Sequence, residues 1–229
     1  MKRKREIVVF DWNGTLLEDT LHCLRATNAV LELLGREPVT IERYRKHCRV
    51  PIAHMYNDFG VSMEDLARHK AVIHEIWNGV YNSHAQTARL RGGAESALCS
   101  LGHKSRRAII LSNHTTANIS EHIRRFGIHD SFEAVLAYEQ HGAAFLKNVK
   151  GERMARYIEE HGIDRGIIVG DTEEEIEIAR THGFVAVAVT GGVCSTERLL
   201  NAKPDFIIDD LEAVPGIAEE VFGREKRRA

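Results

Sequence analysis

The sequence predicts an α/β protein with a doubly wound parallel sheet and an inserted all-helical segment. Three observations predict this fold class. Short apolar runs recur along the chain, helical patterns separate the later runs, and the region from Glu18 to Ala88 carries helical patterns alone. Alternating strands and helices are typical of parallel sheets, because each crossover between parallel strands needs a long connection.

Six apolar runs are predicted as strands. Their apolar residues are consecutive rather than alternating, as in strands that are buried on both faces of a sheet. The runs cover residues 7–10, 108–111, 134–137, 167–169, 185–189 and 206–208.

Between the later runs, apolar residues recur at three- and four-residue spacing, which predicts helices. These helices cover residues 94–101, 117–126, 152–160, 174–182 and 196–201. Several of them end at a glycine, a common helix stop: Gly102, Gly127, Gly162 and Gly183.

The inserted segment has four helical patterns, over residues 21–34, 41–48, 52–59 and 63–81. The last and longest begins with a capping-box pattern, Ser62 followed three residues later by Asp65. We therefore predict two domains. Residues 1–16 and 90–229 would form the α/β core, and residues 17–89 would form a helical subdomain inserted into it.

Composition and charge exclude several classes of protein. With 43% hydrophobic and 28% charged residues, the chain is neither disordered nor collagen-like. The 31 basic and 33 acidic residues give a formal net charge of −2, so no overall field attracts nucleic acid or an anionic membrane. We expect neither of these partners, and nothing in the sequence indicates an oligomeric state.

The cysteines and the N-terminus bear on localisation. Four cysteines (Cys23, Cys48, Cys99 and Cys194) are scattered without the close spacing of a zinc site or a disulfide framework. The apolar run at residues 7–10 is too short for a signal peptide, and none approaches the ~20 residues of a membrane helix. A reducing, cytoplasmic location is expected.

Polar residues stand at the ends of three predicted strands. Asp11 follows the first strand, Ser112 and Asn113 follow the second, and Asp171 follows the fourth. Open parallel sheets bind ligands at the carboxyl ends of their strands, and two carboxylates there would suit a hard cation. Taken singly, Asn13-Gly14 also fits a simple turn, and Ser112 or Asn113 also fits a helix cap.

These residues together resemble the haloacid dehalogenase-like superfamily. The first motif of this superfamily, Asp-x-Asp-Gly-Thr after a strand, is similar to Asp11-Trp12-Asn13-Gly14-Thr15. The second motif is a strand that ends in Ser or Thr, and it is similar to Ile109-Ile110-Leu111-Ser112. The third, a lysine before a helix, is matched by Lys150 or by Lys147, with Lys150 closer to the family spacing. The fourth, Gly-Asp-x-x-x-Asp, is similar to Gly170-Asp171 and Glu175. The resemblance covers nearly the whole chain and implies a Rossmann-like core with a helical cap.

The resemblance implies an Mg²⁺-dependent phosphohydrolase that acts on a small phosphorylated metabolite. Asp11 would be the nucleophile and would form an aspartyl phosphate, while Lys150 would balance the negative charge that develops on phosphate oxygens. Asp11, the backbone carbonyl of Asn13 and Asp171 would hold the metal, with Glu175 behind these ligands. The substrate would contact Thr15, Ser112 and Asn113. The arrangement of cap and core most resembles that of phosphoglycolate phosphatases.

Asn13 departs from the family pattern. The matching Asp protonates the leaving group and later activates water, and an amide does neither; such catalysis is worth about 10²–10⁴ in rate. The amide is compatible with a slow enzyme, with good leaving groups such as acyl phosphates, or with help from a cap residue. It also fits a phospholigand-binding protein without turnover, an engineered exchange, or deamidation of Asn13-Gly14.

Two other branches of the superfamily also lack the second Asp. Phosphonoacetaldehyde hydrolases have a similar first motif but need a Schiff-base lysine in the cap, where this chain has Ile52. Haloacid dehalogenases have a Ser-Asn pair like Ser112-Asn113 but need no metal. Asp171 and Glu175 favour a metal, so phosphate ester hydrolysis is the leading hypothesis.

Overall fold

The protein was analysed as a computed structural model, which describes residues 4–104, 106–139, 143–145 and 149–223. Its main feature is a six-stranded parallel sheet in the order β5-β4-β1-β6-β7-β8. The strands within the described residues are β1 (Glu6–Phe10), β2 (Leu17–Glu18), β3 (Arg89–Leu90), β4 (Arg107–Thr115), β5 (Ala134–Tyr138), β6 (Arg165–Gly170), β7 (Val185–Val189) and β8 (Phe206–Ile208). All six predicted strands and their parallel arrangement are confirmed.

Helices cover both faces of the sheet. The helices are α1 (Thr20–Leu33), α2 (Ile41–His47), α3 (Ile52–Asp58), α4 (Met63–Arg68), α5 (Lys70–Ala85), α6 (Ala94–His103), α7 (Thr116–Arg125), α8 (Lys150–His161), α9 (Glu173–Thr181), α10 (Thr196–Asn201) and α11 (Val214–Gly223). Val8 and Phe10 pack into the apolar cluster with α6, α7 and α11, whereas Ile7 and Val9 pack into the cluster with α8, α9 and α10. This burial on two faces explains why β1 is continuously apolar, and it confirms the doubly wound fold class.

The inserted segment forms its own apolar cluster. Helices α1–α5, the cap helices, contribute most of its side chains, including Leu31, Tyr56 and Tyr81. The two ends of the segment meet in the antiparallel pair of β2 and β3, in which Leu17 pairs with Leu90. Sequence periodicity missed this pair because two residues are too few to show a pattern. The division into residues 1–16 with 90–229 and residues 17–89 stays a prediction, and the separate cluster supports it.

The prediction of one helix over residues 63–81 was wrong. The chain leaves helical geometry at His69, where φ is −100° and ψ is 10°, so that α4 ends and α5 begins on either side of this residue. Leu66 and Ile73 are both buried in the cap cluster. Residues seven positions apart also lie on the same face of an unbroken helix. The apolar pattern therefore does not reveal the break at His69.

Two further observations concern the helices. The sequence pattern did not predict α11, whose first turn contains Pro215 as helix starts often do. Across the described residues, no helix has both the length and the apolar character that a membrane crossing requires.

Candidate active site

The ends of three neighbouring strands bring the predicted site residues together. β1 lies between β4 and β6, and the backbone N–H of Asp11 donates to the carbonyl of Val169 at 2.9 Å. Asp11 directly follows β1, Ser112 and Asn113 lie in β4, and Asp171 directly follows β6. Because the strands are parallel, all four residues lie at the same edge of the sheet.

Asp11 forms a buried ion pair with Lys150. The Lys150 Nζ atom donates to Asp11 Oδ1 at 2.7 Å and also to Glu175 Oε1, and the lysine is only 2% exposed. Burial raises the pKa of Asp11, and the Lys150 charge only partly offsets this. Burial alone would lower the pKa of Lys150, but Asp11 and Glu175 raise it above its usual value. The other motif candidate, Lys147, lies outside the described residues.

Asp171 is enclosed rather than open to the site. It has no exposed surface and accepts hydrogen bonds from Thr15 Oγ1 at 2.9 Å and from the N–H of Val193 at 2.6 Å. A Cβ atom at Gly14 would fall 2.2 Å from Asp171 Oδ2, and one at Gly192 only 1.9 Å from it. Only glycine therefore allows the backbone to approach this carboxylate so closely.

Burial and the nearby charge of Glu175 raise the pKa of Asp171 to about 6, although the bonds from Val193 and Thr15 act in the opposite direction. Glu175 itself caps α9, because it accepts from the backbone N–H of Thr172 at 3.1 Å in a capping box. Asp11 and Glu175 thus share the single ammonium group of Lys150, while Asp171 is held by Thr15 and Val193.

This donor set suits Mg²⁺. Two carboxylates and a backbone carbonyl, completed by water, are an ordinary ligand set for that ion, and a divalent cation would balance the excess negative charge. Within the described ranges, no three His, Cys, Asp or Glu side chains converge as a ready-made cage. Asp11 and Asp171 with the Asn13 carbonyl would hold the ion, and Glu175 would remain with Lys150.

The Asn13 side chain is held by two residues that sequence reasoning missed. Its Nδ2 atom donates to Asp19 Oδ2 at 2.5 Å and to Tyr81 Oη at 3.0 Å, and the Tyr81 hydroxyl donates to Asp19 Oδ2 at 2.6 Å. Asp19 Oδ1 also accepts from the N–H of Gly14 at 2.9 Å. Asp19 is 1% exposed, and burial raises its pKa despite these donors.

The sequence signal at Asp19 pointed elsewhere. An aspartate directly before a helix predicts an N-cap, and Asp19 does precede α1, but its side chain makes no capping hydrogen bond. Tyr81 comes from α5, 62 residues away along the chain. Only the fold reveals that these two residues reach Asn13.

The predicted substrate-binding residues are divided between two places. Ser112 and Asn113 line a cavity in front of Asp11, where Asn113 Nδ2 donates to Glu174 Oε2 at 2.7 Å. Ser112 Oγ accepts from the N–H of His114 at 3.1 Å. Thr15 is fully buried against Asp171 and does not line this cavity.

The cavity has a volume of about 420 Å³ and lies between the strand ends and the cap helices. Asp11, Asn13, Lys150 and Glu175 are on its wall. Its size is within the range of about 300–1,000 Å³ that is typical of small-molecule sites.

Comparison with known proteins identifies the family. The family model described as haloacid dehalogenase-like hydrolase matches residues 8–189. The chain belongs to this family. Among curated proteins, the phosphoglycolate phosphatase of Synechococcus elongatus is 24% identical over 206 residues, which cover 89% of this chain and 92% of that protein.

Solved structures of this haloacid dehalogenase-like fold resemble the chain over most of its length. One is described as a predicted phosphatase from Clostridium acetobutylicum, with a TM-score of 0.78 at 17% identity over 95% of this chain and 100% of that one. Another is a CbbY mutant from Rhodobacter sphaeroides in complex with xylulose-(1,5)bisphosphate, with a TM-score of 0.65 at 17% identity over 91% and 95% of the two chains. At these identities the structural likeness shows the fold.

Proposed function

We propose that this haloacid dehalogenase-like hydrolase is an Mg²⁺-dependent phosphatase that acts on a small phosphorylated metabolite, with Asp11 as the nucleophile. The observation that carries the proposal is the buried contact between Asp11 and Lys150, 2.7 Å long, at the wall of the cavity. The curated relative named phosphoglycolate phosphatase supports the reaction class.

The side chains suggest how the reaction would proceed. Lys150 donates to Asp11 Oδ1, so Asp11 Oδ2 would be the oxygen that attacks phosphorus. Attack forms an Asp11–phosphate bond and breaks the bond from phosphorus to the leaving oxygen. Water then cleaves the acyl phosphate, which releases inorganic phosphate and restores Asp11. Mg²⁺, when bound, would neutralise phosphate oxygens so that an anion can attack an anion.

The Asn13 amide limits which leaving groups this site would serve. Both Nδ2 hydrogens are used, one toward Asp19 and one toward Tyr81, so the Asn13 side chain has no hydrogen left to give to a leaving oxygen. The leaving oxygen would therefore depart as an anion. This condition favours acyl and aryl phosphates over simple alkyl phosphates.

Steady-state hydrolysis of acetyl phosphate and p-nitrophenyl phosphate with Mg²⁺ tests the proposal, with Asp11→Ala as the blank. We expect turnover that depends on Mg²⁺ and on Asp11. Acid quench of a reaction with ³²P-labelled acetyl phosphate should leave label on the peptide that contains Asp11. If the unmodified protein does not exceed the blank, the phosphatase assignment fails and a phospholigand-binding protein becomes the better description.

A further inference from the structure

The cavity walls differ in character between the sheet and the cap. The sheet side contributes polar groups such as Asp11, Ser112 and Lys150. The cap helices contribute a mostly apolar lining, which includes Met55, Tyr56, Ile73 and Trp77, with Ile52 at the start of α3. Phe145 adds another aromatic ring, 6.3 Å from that of Tyr56 between centroids. A substrate whose phosphate lies at Asp11 would place its leaving group against this apolar lining.

The positive charges at the cavity already have acidic partners. Among the described lining residues, every Lys and Arg is in a salt bridge: Lys150 with Asp11 and Glu175, Arg49 with Asp58, and Arg198 with Glu173. Arg198 also donates to the carbonyl of Cys48 at 2.8 Å. Each of these cations is already paired with a carboxylate, so a second anionic group would have to share its cation with that partner.

Among the described lining residues, five carboxylates outnumber the three basic side chains of Lys150, Arg49 and Arg198, and three of these carboxylates belong to the salt bridges just named. Glu173, Glu174, Glu175 and Glu177 all line the cavity along with Asp11. A carboxylate on the leaving group would lose its hydration on entering and would face these like charges. An uncharged apolar group would lose no such hydration and would gain from leaving water.

We infer that the cavity accepts an uncharged, apolar leaving group, so that the substrates are phosphate esters of apolar alcohols and not phosphorylated hydroxy acids such as phosphoglycolate. The inference rests on the proposed function, since it assumes that the phosphate lies at Asp11. The amide at Asn13 adds a second condition, because the leaving oxygen receives no proton from it. Aromatic alcohols meet both conditions, since they pack on aromatic walls and leave as phenoxides.

A matched pair of non-hydrolysable phosphonates tests the inference by binding. In 3-phosphonopropanoate a methylene replaces the ester oxygen of phosphoglycolate, and 3-methylbutylphosphonate has the same shape with an isopropyl group in place of the carboxylate. Calorimetry on the full chain with Mg²⁺ should show at least about tenfold tighter binding of the apolar compound. Equal affinity, tighter binding of the carboxylate, or no binding of either compound at millimolar concentration would overturn the inference.

A charge introduced into the apolar lining provides the control. Ile52→Lys places an ammonium group there, and we expect it to reverse the preference toward 3-phosphonopropanoate. Ile52→Met, of similar length without charge, should keep the preference of the unmodified chain. If both variants behave alike, the leaving group does not contact this wall and the inference is wrong.

Parallel hydrolysis of p-nitrophenyl phosphate separates the two hypotheses. Binding preference for 3-methylbutylphosphonate without any Asp11-dependent hydrolysis would contradict the phosphatase proposal and leave the apolar cavity assignment standing. Asp11-dependent hydrolysis together with a preference for 3-phosphonopropanoate would support the phosphatase proposal and contradict the inference of an apolar leaving group.

Discussion

The side chain of Asn13 donates from Nδ2 to Asp19 Oδ2 across 2.5 Å, in a region where Asp19 is 1% exposed. The same carboxylate accepts hydrogen bonds from the Tyr81 hydroxyl and from the backbone N–H of Gly14. Asp19 therefore needs a donor at position 13. An amide satisfies this need at every pH, whereas a carboxyl group does so only while it holds a proton.

Replacement of Asn13 by Asp should therefore destabilise the protein near neutral pH. Two carboxylates at hydrogen-bond distance cannot both ionise without repulsion, so the pair would share a proton or separate. We expect a loss of about 1–3 kcal/mol in the free energy of unfolding, measured with urea. The exchange variant Asn13→Asp/Asp19→Asn has one amide and one carboxylate again and should recover most of this loss. Equal stabilities of the single and the exchange variant would contradict the hydrogen-bond argument.

The same Asn13→Asp variant tests whether the site lacks only its acid. A proton shared between positions 13 and 19 would be available to the leaving oxygen, and general acid catalysis is worth about 10²–10⁴. Hydrolysis of phenyl phosphate should therefore accelerate by about 10² or more. The rate with acetyl phosphate should change little, because its leaving group, acetate, departs without protonation. An unchanged ratio between the two substrates would show that position 13 does not reach the leaving oxygen.

The strand ends could be predicted from sequence, and the contacts of Asn13 could not. A strand that is buried on both faces gives a continuous apolar signal. A polar residue directly after such a strand, such as Asp11 or Asp171, marks the carboxyl ends of the strands, where parallel sheets bind ligands. Asp19 gives the signal of a helix cap, but its side chain turns to Asn13 instead. Tyr81 reaches the same place through the packing of the cap helices, which no local pattern specifies.

Asp171 should make the stability of the metal-free protein depend on pH. Its pKa is raised from 3.8 to about 6 in the folded chain, so the folded state favours the protonated form. The resulting stabilisation is complete below about pH 4 and is lost as the pH rises through about 6, by about 3 kcal/mol. Urea unfolding with a chelator should show a steeper decline in the unmodified protein than in Asp171→Asn, in which the raised pKa values of Asp11 and Asp19 still contribute.

Mg²⁺ should oppose that decline above about pH 6, because the ion binds the ionised carboxylate. The comparison is between unfolding curves with and without Mg²⁺ at each pH. Parallel pH profiles for the unmodified protein and Asp171→Asn would contradict the assignment of the raised pKa to this residue.

Gly192→Ala should weaken metal binding through Asp171. A Cβ at this position would lie 1.9 Å from Asp171 Oδ2, so the carboxylate or the loop must move. We expect a loss of at least about tenfold in Mg²⁺ affinity, by analogy with other changes that disturb the support of a metal ligand. Gly216→Ala, at a glycine with open space around it, should leave the affinity unchanged. Titration of Mg²⁺ followed by calorimetry compares the two variants.

Lys150→Met should cost stability in a way that depends on pH. The substitution leaves Asp11 and Glu175 buried without their cation, and breaking a buried ion pair from one side costs about 3–5 kcal/mol. Protonation of the carboxyl groups relieves the repulsion, so the cost should shrink below about pH 5. Lys104→Met removes the salt bridge of an exposed lysine with Glu219 and should cost less than about 1 kcal/mol at either pH. A similar small cost at both positions would show that the Asp11–Lys150 contact does not form in solution.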